Sequence, residues 1–397
     1  MNVGTAGAGV RLALVAGEPS GDLLGSHLLK ALKERLPAAH CYGIGGPKME
    51  AQGFDAWYPM EKLAVRGYAE VLRHYREIAG IRRALRKRLL AAPPDVFIGV
   101  DAPDFNLGLE TDLKARGVRT VHYVSPSIWA WRGGRIRKIG RAVDHMLCLF
   151  PFEPELYRQR GIPVTYVGHP MADVIAPETR RSTYRDRLHL PANQRVVALL
   201  PGSRQSELQY HADTFIRTAV LMHEQAPDLS FLVPLATRET RLMFEQALYA
   251  ADAAGLPMRL LFGHAHDALG AADVALVASG TATLEAALLK CPHIIAYKMA
   301  TASWWLMKRM GYLPYVGLPN ILAGRFVVPE FLQHAATPET LSAALLELIA
   351  DPVRQQDMVD AFSAIHHELR QNTAERAAGA ILDILHSRGQ RHDLAMA

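Results

Sequence analysis

The chain has 397 residues, half of them apolar, and its 44 basic and 39 acidic residues give a net charge of +5. This composition excludes disordered and collagen-like proteins, and the length suggests two domains. The basic excess is too small to indicate a nucleic-acid-binding protein by itself, and we expect no nucleic-acid partner.

The first half of the chain alternates short apolar strands with helices. Residues 11–17 form a predicted buried strand that ends in a glycine turn, and residues 23–36 carry apolar side chains at helical spacing. Further strands are predicted at 95–100, 119–124, 145–150 and 164–167. This alternation predicts a parallel sheet with crossover helices, a Rossmann-like domain that we place at residues 1–173.

A second series follows a polar and charged stretch, residues 176–191, which we interpret as a linker region. We predict strands at 195–200, 229–233, 258–262, 274–278 and 293–297, and helices at 207–225, 239–251, 339–349, 353–369 and 373–386. We therefore expect an α/β fold with a second Rossmann-like domain at residues 174–350. A C-terminal helical segment, 351–397, would cross back to an N-terminal domain, and the two domains would enclose a cleft that holds ligands beyond the strand ends.

Two strand-to-helix turns in the second domain are typical of anion-binding sites. Residues 199–207 (LLPGSRQSE) offer backbone N–H groups near a glycine, a helix start and an arginine that can hold phosphate oxygens. Residues 278–285 (ASGTATLE) offer a second such turn and a carboxylate able to bind a ribose diol. The alternatives are a helix cap with a solvated arginine and a glutamate that only stabilises its helix. Together the turns favour a nucleotide diphosphate held by Ser203, Arg204, Gly280, Thr281 and Glu285.

The first domain carries candidate acid–base residues after its strands. Asp101 follows a nearly continuous apolar strand, where a base would face the cleft, although an aspartate before Pro103 is also a common turn residue. The loop after the first strand, residues 16–22, supplies further polar groups. A third loop, residues 125–131, precedes five basic residues, which form either a solvated face or a binding surface for an acidic substrate.

We expect no metal and no other cofactor. No two aspartates are separated by one residue, so the metal-binding DxD pattern is absent, and His264 with His266 is interpreted as a loop or helix-start pair. Residues 4–9 (GTAGAG) precede a strand, whereas a dinucleotide fingerprint follows one. Three separated cysteines without a CxxC pair fit a reducing cytoplasm, and no segment resembles a signal peptide or a bilayer-spanning helix.

Two patches predict a surface that touches a membrane. A helix near residues 63–80 carries apolar side chains at three- and four-residue spacing, and residues 66–88 contain eight basic residues against two acidic ones. Two adjacent tryptophans with nearby cations form the second patch. A core-packed helix with a basic outer face, or a groove for acyl chains, would use the same residues. The side chains that we assign to this surface are Val65, Tyr68, Val71, Leu72, Tyr75, Trp304 and Trp305.

Taken together, the clusters resemble one protein family. The segments are AGEPSGDLLG (16–25), GIGGPKMEAQG (43–53), DAPDFN (101–106), YVSPSIWAWR (123–132), GHPMAD (168–173), LLPGSRQSEL (199–208), SGTATLE (279–285) and LPNILAGR with VPEFLQ (318–333). In this order they resemble the lipid-A-disaccharide synthase family, glycosyltransferase family 19. The resemblance covers about residues 12–333 and implies a metal-independent GT-B fold.

The resemblance also implies a reaction and the residues that perform it. A 2,3-diacylglucosamine would move from UDP to the 6-hydroxyl of 2,3-diacylglucosamine 1-phosphate with inversion, giving a β-1,6-linked disaccharide. Asp101 would be the base, and Arg204 with N–H groups near Ser203 and Thr281 would stabilise the diphosphate. Lesser candidates for acceptor binding or catalytic support are Glu18, Ser20, Asp22 and Asp104, and Asn320 with Gln333 would orient the donor sugar or phosphate.

Such an enzyme would lie in the cytoplasm of a Gram-negative bacterium, peripherally bound to the inner membrane. The sequence leaves open whether the protein forms a homodimer. A soluble UDP-N-acetylglucosamine 2-epimerase is the nearest alternative enzyme, but it would have no use for Trp304, Trp305 or the basic helix. A non-catalytic peripheral membrane protein on the same fold would not need Asp101, Arg204 and Glu285 together.

Overall fold

The computed structural model describes residues 9–63, 68–130, 133–301, 304–305 and 314–393, without the side chains of residues 68–75 and 388–393. The chain forms two compact units. The first unit runs to Asp173 and resumes at Leu369, and the second takes Val174–Glu368. Each unit is built around its own parallel sheet.

The first sheet has the strand order β3-β2-β1-β4-β5-β6-β7. Its strands are β1 (Arg11–Ala16), β2 (His40–Gly45), β3 (Asp55–Pro59), β4 (Val96–Val100), β5 (Arg119–Tyr123), β6 (His145–Cys148) and β7 (Val164–Tyr166). The helices of this unit are α1 (Pro19–Arg35), α2 (Pro47–Glu50), α3 (Tyr68–Ala91), α4 (Pro103–Lys114), α5 (Ile136–Ala142), α6 (Glu153–Arg158) and α7 (Pro170–Val174). The central strand β4 is buried throughout because helices cover both faces of the sheet.

The second sheet has the strand order β10-β9-β8-β11-β12-β13. Its strands are β8 (Arg195–Leu200), β9 (Leu229–Leu235), β10 (Met258–Phe262), β11 (Val274–Ala278), β12 (His293–Tyr297) and β13 (Glu330–Leu332). The helices are α8 (Arg181–Arg187), α9 (Gln205–Gln225), α10 (Arg238–Ala250), α11 (Ala265–Ala271), α12 (Thr281–Leu288), α13 (Leu318–Ala323), α14 (Pro338–Ala350) and α15 (Pro352–Leu369). A last helix, α16 (Thr373–Asp393), belongs to the first unit.

In both sheets the strand order reverses at the first strand of the unit. The chain runs outward from β1 through β2 to β3 and then returns to β4 on the other side of β1. The same reversal separates β8 from β11. Loops that leave such a pair of strands diverge and open a crevice, which is where open parallel sheets bind ligands.

The structure confirms the predicted strands with shifts of one to a few residues, confirms most of the long helices as closely, and adds β2, β3 and β13. Two helices differ more: α16 extends to Asp393, beyond the predicted end at 386, and the helix predicted near residues 63–80 is α3, which begins at Tyr68 and extends to Ala91. The predicted linker at residues 176–191 is wrong, because it contains α8. Arg185 of this helix is buried and donates to the carbonyl of Ala271 at 3.1 Å and to Asp273 at 3.0 Å. Polar composition misled the prediction because the arginine is paired inside the fold.

The structure divides the predicted C-terminal segment between the two units. Helix α15 lies in the second unit, which extends through Glu368 and so passes the predicted boundary at residue 350. Its Phe362 is fully buried in the core of that unit. Helix α16 instead packs on the first unit, where Ala377 and Ile381 share a buried cluster with Leu28 of α1. None of the helices in the described ranges combines the length and apolarity that crossing a bilayer requires.

Candidate functional site

A cavity of about 470 Å³ opens where the second sheet reverses its strand order. Its walls come from the loops after β8, β9, β10 and β11 and from the first turns of α9 and α12. The structure brings together here all the residues that the sequence assigned to a nucleotide diphosphate, namely Ser203, Arg204, Gly280, Thr281 and Glu285. Sequence analysis missed Pro234, Ala236, Gly263 and Ala265, which line the cavity without forming a phosphate-binding motif.

The turn after β8 is shaped around Gly202. Its φ of 123° is a conformation that favours glycine, and a Cβ atom there would lie 2.7 Å from the Cβ of Glu207. The Glu207 carboxylate caps α9, because Oε2 accepts hydrogen bonds from the N–H groups of Ser203 at 3.1 Å and Arg204 at 3.4 Å. Glu207 therefore occupies the Ser203 N–H in this structure, and the expectation that N–H groups near Ser203 bind phosphate stays a prediction.

Arg204 supplies the positive charge of this turn. Its side chain is 65% exposed, and Nη1 lies 3.6 Å from Oε1 of Glu207, a loose ion pair. An exposed guanidinium with so weak a partner can turn towards an anion in the cavity at little cost. Arg204 thus lines the cavity with an exposed charge, and the phosphate-binding role that the sequence assigned to it stays a prediction.

The turn after β11 presents free N–H groups. Gly280 has φ 134° and ψ −161°, a region that glycine alone adopts readily, and no atom lies within 4 Å of the Cβ position. Its carbonyl accepts from the N–H of Thr283 at 3.2 Å and from the Thr283 hydroxyl at 2.8 Å. Among the described residues, the N–H groups of Thr281 and Ala282 have no acceptor. The start of α12 is therefore open to an anion from the cavity side.

Glu285 faces the same cavity from the second turn of α12. Its Oε2 lies 3.4 Å from Nε2 of His266 in α11, and its side chain is 21% exposed. The hydrogen bond that His266 donates to Glu285 raises the pKa of His266, with burial opposing the shift. His264 caps the start of α11 and His266 lies in its first turn, which confirms the predicted helix-start pair. The contact with Glu285 was not visible in the sequence because it joins separate strand-to-helix turns.

Asn320 has a structural role in place of the predicted contact with donor sugar. It is fully buried, and its Oδ1 accepts from the N–H groups of Val327 and Val328, each at 2.8 Å. Its Nδ2 donates to the Val328 carbonyl and to Glu330, both at 2.8 Å. With its amide turned to suit its neighbours, Gln333 pairs with the backbone of Met299 through bonds of 3.2 and 3.3 Å. Neither side chain lines the cavity.

Asp101 lies where the first sheet reverses its strand order. It lines two adjoining cavities of about 500 and 320 Å³, beyond the ends of β1, β4 and β5. Its φ is 53°, that of Ala102 is 43°, and that of Val124 at the end of β5 is 84°. Left-handed backbone costs energy for residues with a Cβ, most of all for a β-branched valine. Such strain concentrated around one carboxylate indicates a functional site.

Burial raises the pKa of the Asp101 carboxyl, while the charge of His122 and the N–H of Ala102 oppose the shift. A carboxylate with a raised pKa is a better proton acceptor than an exposed one. Its backbone is held firmly, because the Asp101 N–H donates to the Tyr123 carbonyl at 2.8 Å and the Asn106 side chain donates to the Asp101 carbonyl at 2.9 Å.

The lesser candidates of the first unit differ in what their side chains can reach. Glu18 and Asp104 line the larger cavity with Asp101, and Asp104 is ion-paired with Arg135. Ser20 is exposed in the first turn of α1 and lines neither cavity.

Asp22 is corrected to a structural role. It is buried, and it accepts from the N–H groups of Gly46, Lys48 and Met49 at 2.9 to 3.1 Å. These bonds hold the start of α2 and leave its carboxylate no free face for a substrate.

The basic helix contributes to the larger cavity. Arg82 of α3 lines it with Asp101, beside the apolar side chains of Leu63, Ile78 and Phe105. The C-terminal half of α3 is packed in the core through Leu85 and Leu89, which are fully buried, and Arg88 stacks 3.5 Å above the Trp57 ring. The structure therefore shows that this half of α3 is a core-packed helix with a basic outer face, which was the alternative to a membrane-contacting helix.

Most of the side chains predicted to contact a membrane lie outside the part of the chain that the structure describes. Val65 lies outside the described residues, and the side chains of Tyr68, Val71, Leu72 and Tyr75 do as well, although α3 begins at Tyr68. Trp304 is half-buried and Trp305 is 57% exposed. In the described part of the chain, no group of three or more His, Cys, Asp or Glu side chains is arranged to hold a metal ion.

Comparisons with known proteins find similar sequences and similar folds. The family described as "Lipid-A-disaccharide synthetase" matches residues 12–382. The lipid-A-disaccharide synthase of Dechloromonas aromatica (strain RCB) is 64% identical over 380 residues, which cover 96% of this chain and all of the relative.

Solved structures show the same fold at low identity. UDP-GlcNAc 2-epimerase from Neisseria meningitidis, bound to UDP-GlcNAc, has a TM-score of 0.63 at 11% identity, covering 94% of this chain and 100% of its own. The glycotransferase of kitacinnamycin has a TM-score of 0.61 at 17% identity, covering 94% and 98%. The expected GT-B fold, an α/β fold with two parallel sheets, is thereby confirmed.

Proposed function

The chain belongs to the lipid-A-disaccharide synthetase family, and we propose that it transfers 2,3-diacylglucosamine from UDP to the 6-hydroxyl of 2,3-diacylglucosamine 1-phosphate. Family membership makes it a glycosyltransferase of lipid A biosynthesis. The two substrates, the inversion at the anomeric carbon and the independence from metal are the finer parts of the proposal.

One observation carries the acceptor assignment: a single cavity of the first unit combines a carboxylate, a guanidinium and an apolar wall. Asp101 supplies the carboxylate, Arg82 the guanidinium, and Leu63, Ile78 and Phe105 the apolar side chains. An acylated sugar phosphate needs all three groups, because it has a hydroxyl to deprotonate, a phosphate to neutralise and acyl chains to bury.

Asp101 acts as the base in this proposal. The donor bond is α and the product bond is β, so a single in-line displacement suffices, and it requires one proton acceptor for the attacking hydroxyl. Burial raises the pKa of Asp101, which increases its basicity. The strained backbone at Asp101 and Ala102 fixes the carboxylate at the cavity wall.

The second unit holds UDP. Arg204 and the free N–H groups of Thr281 and Ala282 face one cavity and supply positive potential to the diphosphate, and Glu285 accepts hydrogen bonds from the ribose. Because the departing UDP is a stable anion, fixed positive groups suffice to stabilise it as the leaving group. We therefore propose that the reaction proceeds without a divalent cation.

The defining test is acceptor-dependent release of UDP. Purified protein incubated with UDP-2,3-diacylglucosamine is expected to release UDP only when the diacylglucosamine 1-phosphate is added, and to do so in the presence of EDTA. Proton NMR of the disaccharide should show a β-1,6 linkage. An epimerase would alter its sugar nucleotide without any acceptor, and a non-catalytic protein would release no UDP. Retention of the α configuration would overturn the inverting mechanism.

Asp101→Asn tests the base. General-base catalysis contributes about 100-fold or more, so kcat should fall by at least that factor. UDP affinity, measured by calorimetry, should stay within about twofold, because Asp101 does not line the UDP cavity. Asp104→Asn and Glu18→Gln, measured alongside, rank the lesser candidates. Near-normal turnover in the Asp101 variant would remove Asp101 from the role.

We further propose that the enzyme works at the cytoplasmic face of the inner membrane without spanning it. The acylated substrates, the exposed cations of α3 and the exposed Trp305 support this location. A homodimer stays a prediction, which light scattering after size-exclusion chromatography would measure.

A further inference from the structure

A buried pair of ionisable side chains lies under the site of Asp101. Nδ1 of His122, on β5, is 2.7 Å from Oε1 of Glu110, on α4, and both side chains are fully buried. Among the described residues, the second nitrogen of His122 and the second oxygen of Glu110 have no hydrogen-bond partner. A buried ionisable pair costs several kcal/mol in desolvation and is weak evidence for a role in stability alone.

The neighbouring backbone makes room for this pair. Gly99 of β4 lies opposite His122 in the register of the sheet. A Cβ atom at Gly99 would collide with Oε1 of Glu110 and would lie 3.0 Å from the Cβ of Asn106. The strand therefore needs a glycine at this point for the Glu110 carboxylate to reach His122. The pair is a built feature of the sheet and not a chance contact.

The pair is linked to Asp101 through two neighbouring segments. The Asp101 N–H donates to the carbonyl of Tyr123, the residue after His122, at 2.8 Å. On the helix side, Asn106 lies one turn before Glu110 and donates to the carbonyls of Asp101 at 2.9 Å and Val15 at 3.2 Å. The residues next to both members of the pair therefore hold the backbone of Asp101.

Several other charged groups face Asp101, and they do not supply a strong net attraction. Glu18 precedes α1 and is acidic, Arg82 of α3 is basic, and Asp104 of α4 is neutralised by Arg135. Burial raises the pKa of Glu110, and its bond to His122 opposes that shift. When the proton that the pair shares lies on His122, the imidazolium charge favours the ionised form of Asp101.

We propose that Glu110 and His122 are positioning residues for Asp101: Glu110 fixes the imidazole, and the charge of His122 keeps the buried Asp101 carboxylate ionised and ready to accept a proton. This inference rests on the proposed function, in which Asp101 is the base. The pair itself touches no substrate. When Asp101 takes the proton of the acceptor hydroxyl, the pair no longer faces an anion, and its proton can return towards Glu110.

The test is the pH dependence of kcat/KM in His122→Asn. Loss of a nearby positive charge raises the pKa of a carboxylate by about one unit or more. The acidic limb of the profile should therefore move to higher pH, with a loss of about tenfold or more at pH values below the limb. On the alkaline side the loss should be less than about threefold, because Asp101 is ionised there in both proteins.

Two further variants protect the test against a folding defect in His122→Asn. Glu110→Gln keeps an oxygen for His122 but removes the negative charge that favours imidazolium, so it should move the limb in the same direction by a smaller amount. Gly99→Ala displaces Glu110 and should also move the acidic limb of the profile to higher pH. His293→Asn is the matched control, because His293 is an equally buried histidine of the second unit, and its profile should keep the wild-type limb.

Carboxyl carbon-13 NMR of labelled aspartate separates the two proposals, since Asp101→Asn identifies the Asp101 resonance without any assay of activity. A higher titration midpoint for this resonance in His122→Asn supports the positioning role, even if Asp101→Asn keeps its turnover and the base proposal fails. An unchanged midpoint together with a uniform loss of kcat/KM at every pH overturns the positioning role. In that case an inactive Asp101→Asn would leave the base proposal standing.

Discussion

Nε2 of His266 lies 3.4 Å from Oε2 of Glu285, so the proposed ribose ligand is already held from one side before any nucleotide arrives. The contact leaves the second carboxylate oxygen of Glu285 for the ribose hydroxyl groups. It also fixes the side chain at the wall of the UDP cavity. Preorganisation of this kind lowers the entropy cost of binding.

Glu285→Gln is expected to weaken UDP binding by about tenfold or more, because it removes charge-assisted hydrogen bonds to the ribose. His266→Gln should weaken it less, since the carboxylate remains. Calorimetric titration with UDP measures both. The control is Glu224→Gln, an exposed glutamate near the end of α9. Equal affinities for wild type and the Glu285 variant would exclude Glu285 as the ribose ligand.

Arg204→Ala is expected to lower kcat about 100-fold through loss of positive charge at the departing diphosphate. Arg204→Lys should recover part of the rate as a point charge without the two-pronged geometry. The control is Arg217→Ala in α9, where the exposed arginine pairs with Asp213, and this variant should match wild type in the same steady-state assay. A wild-type rate for Arg204→Ala would show that another group stabilises the departing diphosphate.

Asn320→Ala is expected to destabilise the second unit by about 2–4 kcal/mol, because it leaves buried backbone groups and Glu330 without their partners. Urea unfolding followed by circular dichroism measures the loss. Asn193→Ala, at an exposed position before β8, should change stability by less than about 0.5 kcal/mol. Full stability with lost activity would instead return Asn320 to the donor-sugar role.

Glu153 should make the first unit less stable as the pH rises. It is buried, accepts from the N–H groups of Leu149 and Phe150 at 3.1 and 3.0 Å, and accepts from the Trp129 ring N–H at 3.1 Å. Burial raises its pKa from 4.5 to about 7. The folded state thus favours the protonated form, whose contribution is complete below about pH 4.5 and is lost as the pH rises through about 7.

The comparison with Glu153→Gln isolates this effect, because glutamine does not titrate. The stability of wild type relative to the variant should fall by about 3 kcal/mol between pH 4.5 and pH 7 and then level off. Urea unfolding at a series of pH values measures it. A constant difference in stability across that range would show that folding does not raise the pKa of Glu153.

The outer face of α3 should bind anionic lipid. Arg76, Arg83 and Lys87 are exposed on it, and each cation near an anionic surface contributes about 1 kcal/mol. Replacing all three with glutamine should lower binding to phosphatidylglycerol-containing vesicles about 100-fold in a sedimentation assay. The control replaces Arg217, Arg238 and Arg354, which are exposed in the second unit. Equal binding by both variants would remove α3 from the membrane surface.

Local sequence patterns predicted the sheets and the residues of the cavity that we propose for UDP, because both depend on short segments. Apolar runs and glycine turns located β8, β11 and the loops that follow them. Such patterns cannot predict hydrogen bonds between residues that are far apart in the sequence. Nothing in the local sequence distinguishes the buried amide of Asn320 from a ligand-binding one. His122 alternates with apolar residues along β5, so its burial against Glu110 could not be inferred from spacing.

Helix α16 closes the core of a unit whose first strand lies at the other end of the chain. During translation, the part of α1 that packs against α16 therefore stays exposed until the ribosome has finished the whole of the second sheet and its helices. We expect the nascent N-terminal unit to depend on chaperones through this interval, and a stop codon ahead of α16 to abolish a stable first unit as well as removing a helix.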